Sequence, residues 1–246
     1  MGQPITPVEP TTPTVAVPTP GAELLSPRPD PGAELDRQIE VLVTLGWADL
    51  LGTTSDALRA ALAPLHARLP SEPFTEVPPD DLIPFLLVVP VDVNDAVPAM
   101  RRGDRRGVSV IGRTEAVGYR TVEDVTLPDG PGYLLTGVDT GSEFCNLRPA
   151  DARTAIAERG RSPLTMTEGI ALATVRPDML RRNRCFSLLA SRAQNQRVPA
   201  IWISERRAKL GWCWDRNPHT WLGAASTAGR VGTEGARPPT CGERTR

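Results

Sequence analysis

The sequence has little of several residue types, and each scarcity narrows the possible class of protein. Lys209 is the sole lysine among 28 basic residues, histidine occurs twice, and aromatic residues make up 4% of the 246 residues. The four cysteines form no CxxC motif and no regular spacing, so we expect free thiols rather than a disulfide framework or a metal site. No apolar run approaches the roughly 18 residues that a membrane-spanning helix needs.

The chain begins without the basic segment and apolar run of a secretory signal. We therefore expect a cytoplasmic protein with no membrane partner. Residues 1–32 contain nine prolines among Thr, Val and Glu, a composition typical of a disordered segment. Residues 229–246 are rich in Gly, Arg, Pro and Thr and predict a second disordered tail. Residues 33–228 between them have the length of a single domain.

Charge is distributed unevenly along the chain. Residues 1–100 carry 4 basic and 14 acidic groups, a net charge of −10, whereas residues 101–246 carry 24 and 15, a net charge of +9. The second part can therefore attract a small anion, although the two parts can also neutralise each other on folding. The overall charge of −1 argues against a nucleic-acid partner.

Four stretches carry helix signals. Apolar residues at spacings of three and four predict an amphipathic helix over Ala33–Leu45, and Ser55 is expected to cap a second helix. Pro149 suits the first turn of a later helix, where its missing N–H is not needed. Thr165 and Glu168 have the spacing of a capping box at the start of another helix.

Strand signals lie between and after these helices. An apolar run bounded by prolines predicts a buried strand at Ile83–Val89. The order of elements is that of an α+β domain with N-terminal helices and a mixed sheet. Four short runs with turn signals between them predict that the sheet ends in a C-terminal antiparallel meander: Cys185–Ala190, Val198–Ser204, Lys209–Trp214 and His219–Ala225.

The densest side-chain chemistry lies in GWCWDRNPHTWLG, residues 211–223. If Asp215–Pro218 forms the turn of a hairpin, the alternation of side chains along strands predicts that four rings share one face: Trp212, Trp214, His219 and Trp221. Cys213 then points to the opposite face, which disfavours a pairing of its thiol with His219 as nucleophile and base.

Two interpretations of the aromatic face stay open. Cross-strand aromatic pairs stabilise sheets without any further role. Alternatively, the face lines a pocket in which the three indoles stack a ligand. In that interpretation Arg184 and Arg192, from the nearest basic cluster, grip a carboxylate or phosphate. The expected partner is a small anionic or aromatic ligand, with no cofactor and no metal. The sequence does not indicate an oligomeric state.

An enzymatic alternative rests on His219. Its imidazole can move protons near neutrality, and Asp139 and Glu143 lie in a loop after a predicted strand, where they can assist as acid and base. The substrate would be a small anionic metabolite, for example in specialised metabolism. The same loop is also explained as a solvated turn that leads into the helix at Pro149.

Several stretches together resemble a family of uncharacterised actinobacterial proteins that share a domain of unknown function. The resemblance extends over about Leu35–Gly232. It implies a single cytoplasmic domain, and it implies no activity and no site residues. The stretches that carry it are Leu35–Trp47 (LDRQIEVLVTLGW), Gly141–Pro149 (GSEFCNLRP), Gly160–Leu172 (GRSPLTMTEGIAL) and Val198–Ser226, which contains the tryptophan-rich segment.

Overall fold

A computed structural model describes residues 18–70 and 81–233. Within these ranges the α-helices are α1 (Ala22–Leu25), α2 (Pro31–Thr44), α3 (Trp47–Leu50), α4 (Ser55–Leu62), α5 (Val93–Ala96), α6 (Arg113–Ala116), α7 (Pro149–Glu158) and α8 (Met166–Val175). Short 3₁₀ segments add Ala63–Arg68, Val97–Ala99, Ser142–Phe144 and Pro177–Met179.

The strands of the same ranges are β1 (Leu82–Val88), β2 (Val108–Ser109), β3 (Arg120–Thr121), β4 (Tyr133–Asp139), β5 (Ser162–Pro163), β6 (Cys185–Ser187), β7 (Ser191–Arg192), β8 (Arg197–Ser204), β9 (Arg207–Trp214), β10 (Leu222–Ala224), β11 (Ser226–Thr227) and β12 (Gly229–Gly232). One five-stranded sheet has the order β1-β4-β11-β5, with β12 also paired to β4, and a second five-stranded sheet has the order β10-β6-β8-β9-β2. Strands β3 and β7 form a separate two-stranded sheet. The α+β class that the sequence predicts is confirmed.

Local sequence signals explain where the helices begin. The side chain of Asp30 accepts a hydrogen bond from the N–H of Ala33 and so caps α2. The cap of α4 is Thr54 rather than the predicted Ser55, because the Thr54 hydroxyl accepts from the N–H of Ala57. Pro149 stands at the first position of α7, as its missing N–H favours.

The C-terminal strands follow the predicted meander only in part. Strands β6, β8 and β9 pair antiparallel in succession. Strand β10 does not pair with β9, because it crosses to the far side of the sheet and lies parallel to β6, with Leu222 opposite Cys185. Strand β2 is likewise parallel to β9. The sheet is therefore mixed, and β8 and β6 separate the two strands that the hairpin prediction joins.

Helix α8 lies between the two sheets and contacts both β1 and β8. All of its residues except Thr167 are buried, as expected for a helix that is apolar on every side. The predicted capping box at its start is confirmed: the Thr165 hydroxyl accepts from the N–H of Glu168, and the Glu168 carboxylate accepts from the N–H of Thr165.

The described chain extends beyond residues 33–228 at both ends. Helix α1 and the start of α2 fall within the first 32 residues, and the carbonyl of Leu24 accepts a hydrogen bond from Arg37. Strand β12 pairs with β4 along Gly229–Gly232, so the sheet includes residues that composition assigns to the C-terminal tail. Residues 1–17 and 234–246, which make up the rest of the two predicted tails, lie outside the described residues.

The buried carboxylate of Glu168 joins three parts of the fold. Glu168 has no exposed surface, and its oxygens accept from the Tyr133 hydroxyl on β4 at 3.1 Å and from the N–H of Thr165 at 2.7 Å. Arg230 on β12 donates twice, from Nε at 2.7 Å and from Nη2 at 2.8 Å. Burial and the nearby carboxylate raise the pKa of Tyr133, which keeps its hydroxyl a donor.

None of the described helices combines the length and the apolar character that crossing a membrane requires.

We expect Arg230→Ala to lower the free energy of unfolding by about 3–5 kcal/mol, because it leaves a buried carboxylate without its cation. Urea denaturation followed by circular dichroism measures this loss. The matched control is Arg148→Ala, which removes a half-exposed ion pair with Asp151 and should cost less than about 1 kcal/mol. Equal losses of unfolding free energy in the two variants would contradict the conclusion that Arg230 compensates the buried charge of Glu168.

Candidate functional site

The predicted aromatic face is divided between two places in the structure. Trp212 and Trp214 contact each other edge to face, with ring centroids 5.2 Å apart. His219 contacts Trp221 at 5.3 Å, and Trp221 contacts Trp202 at 6.2 Å. The hairpin prediction is wrong because the segment after β9 bonds to other parts of the chain: the N–H of Asn146 donates to the His219 carbonyl, and that of Cys185 to the Trp221 carbonyl.

The pair formed by Trp212 and Trp214 is engaged by the protein itself. The guanidinium of Arg197 lies 3.9 Å from the centroid of Trp212 and 5.7 Å from that of Trp214. The same guanidinium donates to Glu115 at 2.8 Å. Although 44% of Trp214 is exposed, Arg197 occupies part of the ring surface that the sequence assigns to a ligand.

Burial shifts the pKa values of both Cys213 and His219. Burial raises the pKa of the Cys213 thiol to about 11, and its sulfur lies 4.0 Å from the Ser187 hydroxyl. A thiol with that pKa is almost entirely protonated at neutral pH and is a poor nucleophile. Burial lowers the pKa of His219, so its imidazole is predominantly neutral near pH 7.

Asp139 and Glu143 each have partners other than His219. The Asp139 carboxylate accepts from the N–H of Gly141 at 2.7 Å, and burial raises its pKa. Glu143 forms an ion pair with Arg159. Among the described residues, no hydrogen bond links the His219 side chain to either carboxylate. The three predicted acid–base residues thus each have separate contacts in the structure, and their joint role stays a prediction.

Arg184 and Arg192 lie in different surroundings. Arg192 forms an ion pair with Asp215 at 2.6 Å. Arg184 belongs to the turn Arg181–Arg184, which Asp81 holds in place. The Asp81 carboxylate accepts from Arg181 and from the Thr140 hydroxyl at 3.0 Å, and it lies 3.8 Å from Arg184. Ser142 donates to the same carboxylate.

Three tight turns converge on a cleft of about 590 Å³. They are Arg102–Arg105 and Arg181–Arg184, each closed by a backbone bridge, and Ser204–Arg207, which connects β8 to β9. Arg105 links the first turn to the third by donating to the Glu205 carbonyl at 3.2 Å. We name this space the turn cleft, and its lining residues are Arg102, Arg182, Asn183, Cys185, Trp202, Ile203, Glu205, Arg206 and Trp221.

The turn residues of the cleft adopt an uncommon backbone. Asn183, Glu205 and Arg206 have φ of 62°, 51° and 63°, in the left-handed region that costs most L-residues roughly 1–2 kcal/mol. A two-residue hairpin turn with both φ positive favours Asn-Gly. The chain has Glu-Arg there instead, so it retains two charged side chains at the edge of the cleft despite the strain. Strained residues of this kind concentrate at functional sites.

Positive charge in the turn cleft is incompletely neutralised. Within the described part of the chain, no carboxylate forms an ion pair with Arg102, Arg182 or Arg206, and Glu205 is the only acidic residue of the lining. Next to the cleft, burial and the neighbouring guanidinium of Arg106 lower the pKa of Arg101. Like charges are therefore crowded at this end of the molecule, and an anion bound there would be attracted by them.

Comparison with known proteins defines the family. The sequence model described as "Family of unknown function (DUF5701)" matches residues 41–233. The chain belongs to this family. The matched segment of DUF5701 contains every lining residue of the turn cleft, together with Asp81 and Arg230. Searches of the curated proteins and of the solved structures found no match.

Sequence reasoning overlooked four residues that build the DUF5701 cleft: Asp81, Arg102, Trp202 and Arg206. The sequence does contain a signal for Arg102 and Arg206. Pairs of arginines stand on both sides of the turn-forming dipeptide Gly103-Asp104, and another pair directly follows Glu205. The same arrangement occurs at Arg181–Arg184, where Asn183 tolerates a positive φ. Repetition of arginines around tight turns is therefore the pattern that marks this site.

Gly211 explains how Trp202 forms a wall of the cleft. A Cβ atom on Gly211 would lie 2.2 Å from Trp202 Cη2 and 2.7 Å from Val110 Cγ2. The glycine thus lets the indole of Trp202 lie directly against β9. Trp202 in turn contacts Trp221, whose carbonyl accepts from the N–H of Cys185. One small residue of the tryptophan-rich segment therefore positions the ring pair at the neighbouring site.

We expect Gly211→Ala to displace Trp202, because the added methyl group overlaps the indole. Overpacking of this kind costs about 1–3 kcal/mol of stability, which urea denaturation measures, and near-UV circular dichroism reports the moved ring. Gly112→Ala is the control, since a Cβ there meets no atom within 4 Å. Unchanged near-UV spectra in Gly211→Ala would show that Trp202 is not fixed as described.

Proposed function

We propose that this protein is a binding module that takes a small anionic ligand in the turn cleft. The observation that carries the proposal is that one cleft is lined by two indole side chains and by three arginines that have no ion-pair partner among the described residues, Arg102, Arg182 and Arg206. The volume of about 590 Å³ lies within the range of roughly 300–1,000 Å³ typical of small-molecule sites.

The three guanidinium groups supply the affinity for an anion. Arginine binds carboxylate and phosphate through two parallel N–H donors, and such charge-assisted hydrogen bonds are among the strongest in proteins. The groups come from three separate turns, and Asp81 fixes one of these turns through Arg181 and Thr140. The turn backbones are thus fixed before binding, and the conformational entropy lost on binding comes mainly from ordering the three exposed arginine side chains.

The strained turn residues support a binding role more than a structural one. A glycine at position 205 or 206 would relieve the backbone and maintain the hairpin. Arg206 nevertheless has a positive φ of 63° and belongs to the cleft lining. Stability alone does not favour that choice, whereas affinity for an anion does.

His219 offers a catalytic extension of the same proposal. Its ring contacts Trp221, a lining residue of the turn cleft, at 5.3 Å. Because burial lowers its pKa, the neutral imidazole can accept a proton near pH 7. Turnover of a ligand would require His219 alone among the predicted acid–base residues, since Asp139 and Glu143 have other partners. The cytoplasmic location stays a prediction, and the free thiols of the described cysteines agree with a reducing environment.

We expect Arg206→Gly to weaken binding of pyrophosphate at least about tenfold, because it removes a charge-assisted contact. The same substitution relieves a positive φ, so the free energy of unfolding should stay unchanged or rise by up to about 1 kcal/mol. Isothermal titration calorimetry measures the affinity, and urea denaturation measures the stability.

Glu205→Gly is the matched control for this prediction. It relieves the same strained turn but removes a negative charge, so pyrophosphate should bind equally well or more tightly. A weaker affinity in both variants would assign the effect to the backbone and contradict the proposed role of charge. Binding that Arg206→Gly and Arg182→Gln both leave unchanged would place the anion outside the turn cleft.

A further inference from the structure

The turn cleft presents two kinds of surface to one ligand. Trp202 and Trp221 contact each other with an interplanar angle of 61°, and both rings are half-buried lining residues. Arg102, Arg182 and Arg206 belong to the same lining. A ligand that uses both surfaces must carry a planar aromatic group and an anionic group on one molecule.

Glu205 and Asn183 further restrict the chemical class of ligand that suits the turn cleft. The Glu205 carboxylate weakens the attraction for a ligand that is anionic along its whole length, such as pyrophosphate, relative to a ligand that carries its charge at one end. It accepts hydrogen bonds well from hydroxyl and amino groups, and the Asn183 amide can both donate and accept. The lining thus suits a molecule whose anionic end is separate from a part that carries hydroxyl or amino donors.

The size of the turn cleft favours a single small ligand over a nucleic-acid strand. A strand-binding groove follows a backbone with cations spread over several nucleotides. The turn cleft has a volume of about 590 Å³, which is the size of a site for one small molecule. Arg102, Arg182 and Arg206 all belong to its lining, so one phosphate group bound there lies close to all three residues.

From these features we infer that the ligand is a nucleoside phosphate. The base stacks against Trp202 or Trp221, the phosphate binds the three guanidinium groups, and Glu205 accepts from a ribose hydroxyl or an exocyclic amino group. This inference rests on the proposed function, because it names the ligand class of the same cleft. It adds that aromatic stacking, and not charge alone, selects the ligand.

The experiment compares adenosine 5′-monophosphate with ribose 5-phosphate, which has the same phosphate and sugar but no base. Calorimetry at one fixed ionic strength should show the nucleotide binding at least about tenfold more tightly, as expected when a base stacks on an indole. Adenosine, which has the base but no phosphate, should bind more weakly than the nucleotide.

Variants locate the source of that preference. Trp221→Leu and Trp202→Leu should reduce the advantage of the nucleotide over ribose 5-phosphate to less than about threefold, while the affinity for ribose 5-phosphate stays close to that of the unaltered protein. If Trp202→Leu disturbs folding, Trp202→Phe takes its place. It keeps an aromatic ring against Gly211 and should retain part of the higher affinity for the nucleotide over ribose 5-phosphate. Trp214→Leu removes an indole of the other ring pair and should retain all of it.

The outcomes separate this inference from the proposal beneath it. Equal affinity for the nucleotide and ribose 5-phosphate would overturn the ligand class and leave anion binding intact. Absence of binding by the nucleotide, ribose 5-phosphate and pyrophosphate alike would overturn both. A deoxythymidine decamer that binds more than about tenfold more tightly than thymidine 5′-monophosphate would overturn the inference in favour of a single-stranded nucleic acid.

Discussion

The fold depends on how the buried carboxylate of Glu168 is satisfied. An ionised carboxylate without solvent is strongly unfavourable unless it is paired and fully hydrogen-bonded. Glu168 meets this requirement with donors from β4, from the cap of α8 and from β12. Because α8 contacts strands of both sheets, these hydrogen bonds fix the helix around which the two sheets are packed. Much of the remaining architecture, including the ends of strands that form the turn cleft, is positioned relative to that helix.

In contrast to the paired charge of Glu168, charges at the turn cleft lack partners of opposite sign in the part of the chain that the structure describes. There, three arginines lack a carboxylate partner among the described residues, two residues of the β8–β9 turn have a positive φ, and an indole lies against a glycine. Each of these features reduces stability locally or limits which side chains the chain can accept. The interior around Glu168 is thus fully compensated, whereas the cleft retains uncompensated charge and strain, as expected where the surface has to accommodate a ligand.

Local signals in the sequence were sufficient for helices α2, α4, α7 and α8 and for strands β8 and β9, whereas the short helices α1, α3 and α6 were not predicted. The capping box of Thr165 and Glu168 and the proline that starts α7 act within a few residues, so the sequence alone reveals them. The prediction of a shared aromatic face failed because β10 pairs with β6, where Leu222 lies opposite Cys185, some 37 positions earlier. No local rule predicts the register of strands so far apart in the sequence. The turn cleft was missed for the same reason. Its arginines come from turns near residues 102, 182 and 206, which become neighbours only after the sheet β10-β6-β8-β9-β2 has formed.

Strand β12 has a consequence for how the chain is made. Residues leave the ribosome in order from the amino terminus, and Arg230 is among the last described residues to emerge. Until then Glu168 has no cation, so a nascent chain that buries α8 would enclose an uncompensated negative charge. We therefore expect the central helix to pack stably only after β12, the last strand of the described residues, has been translated.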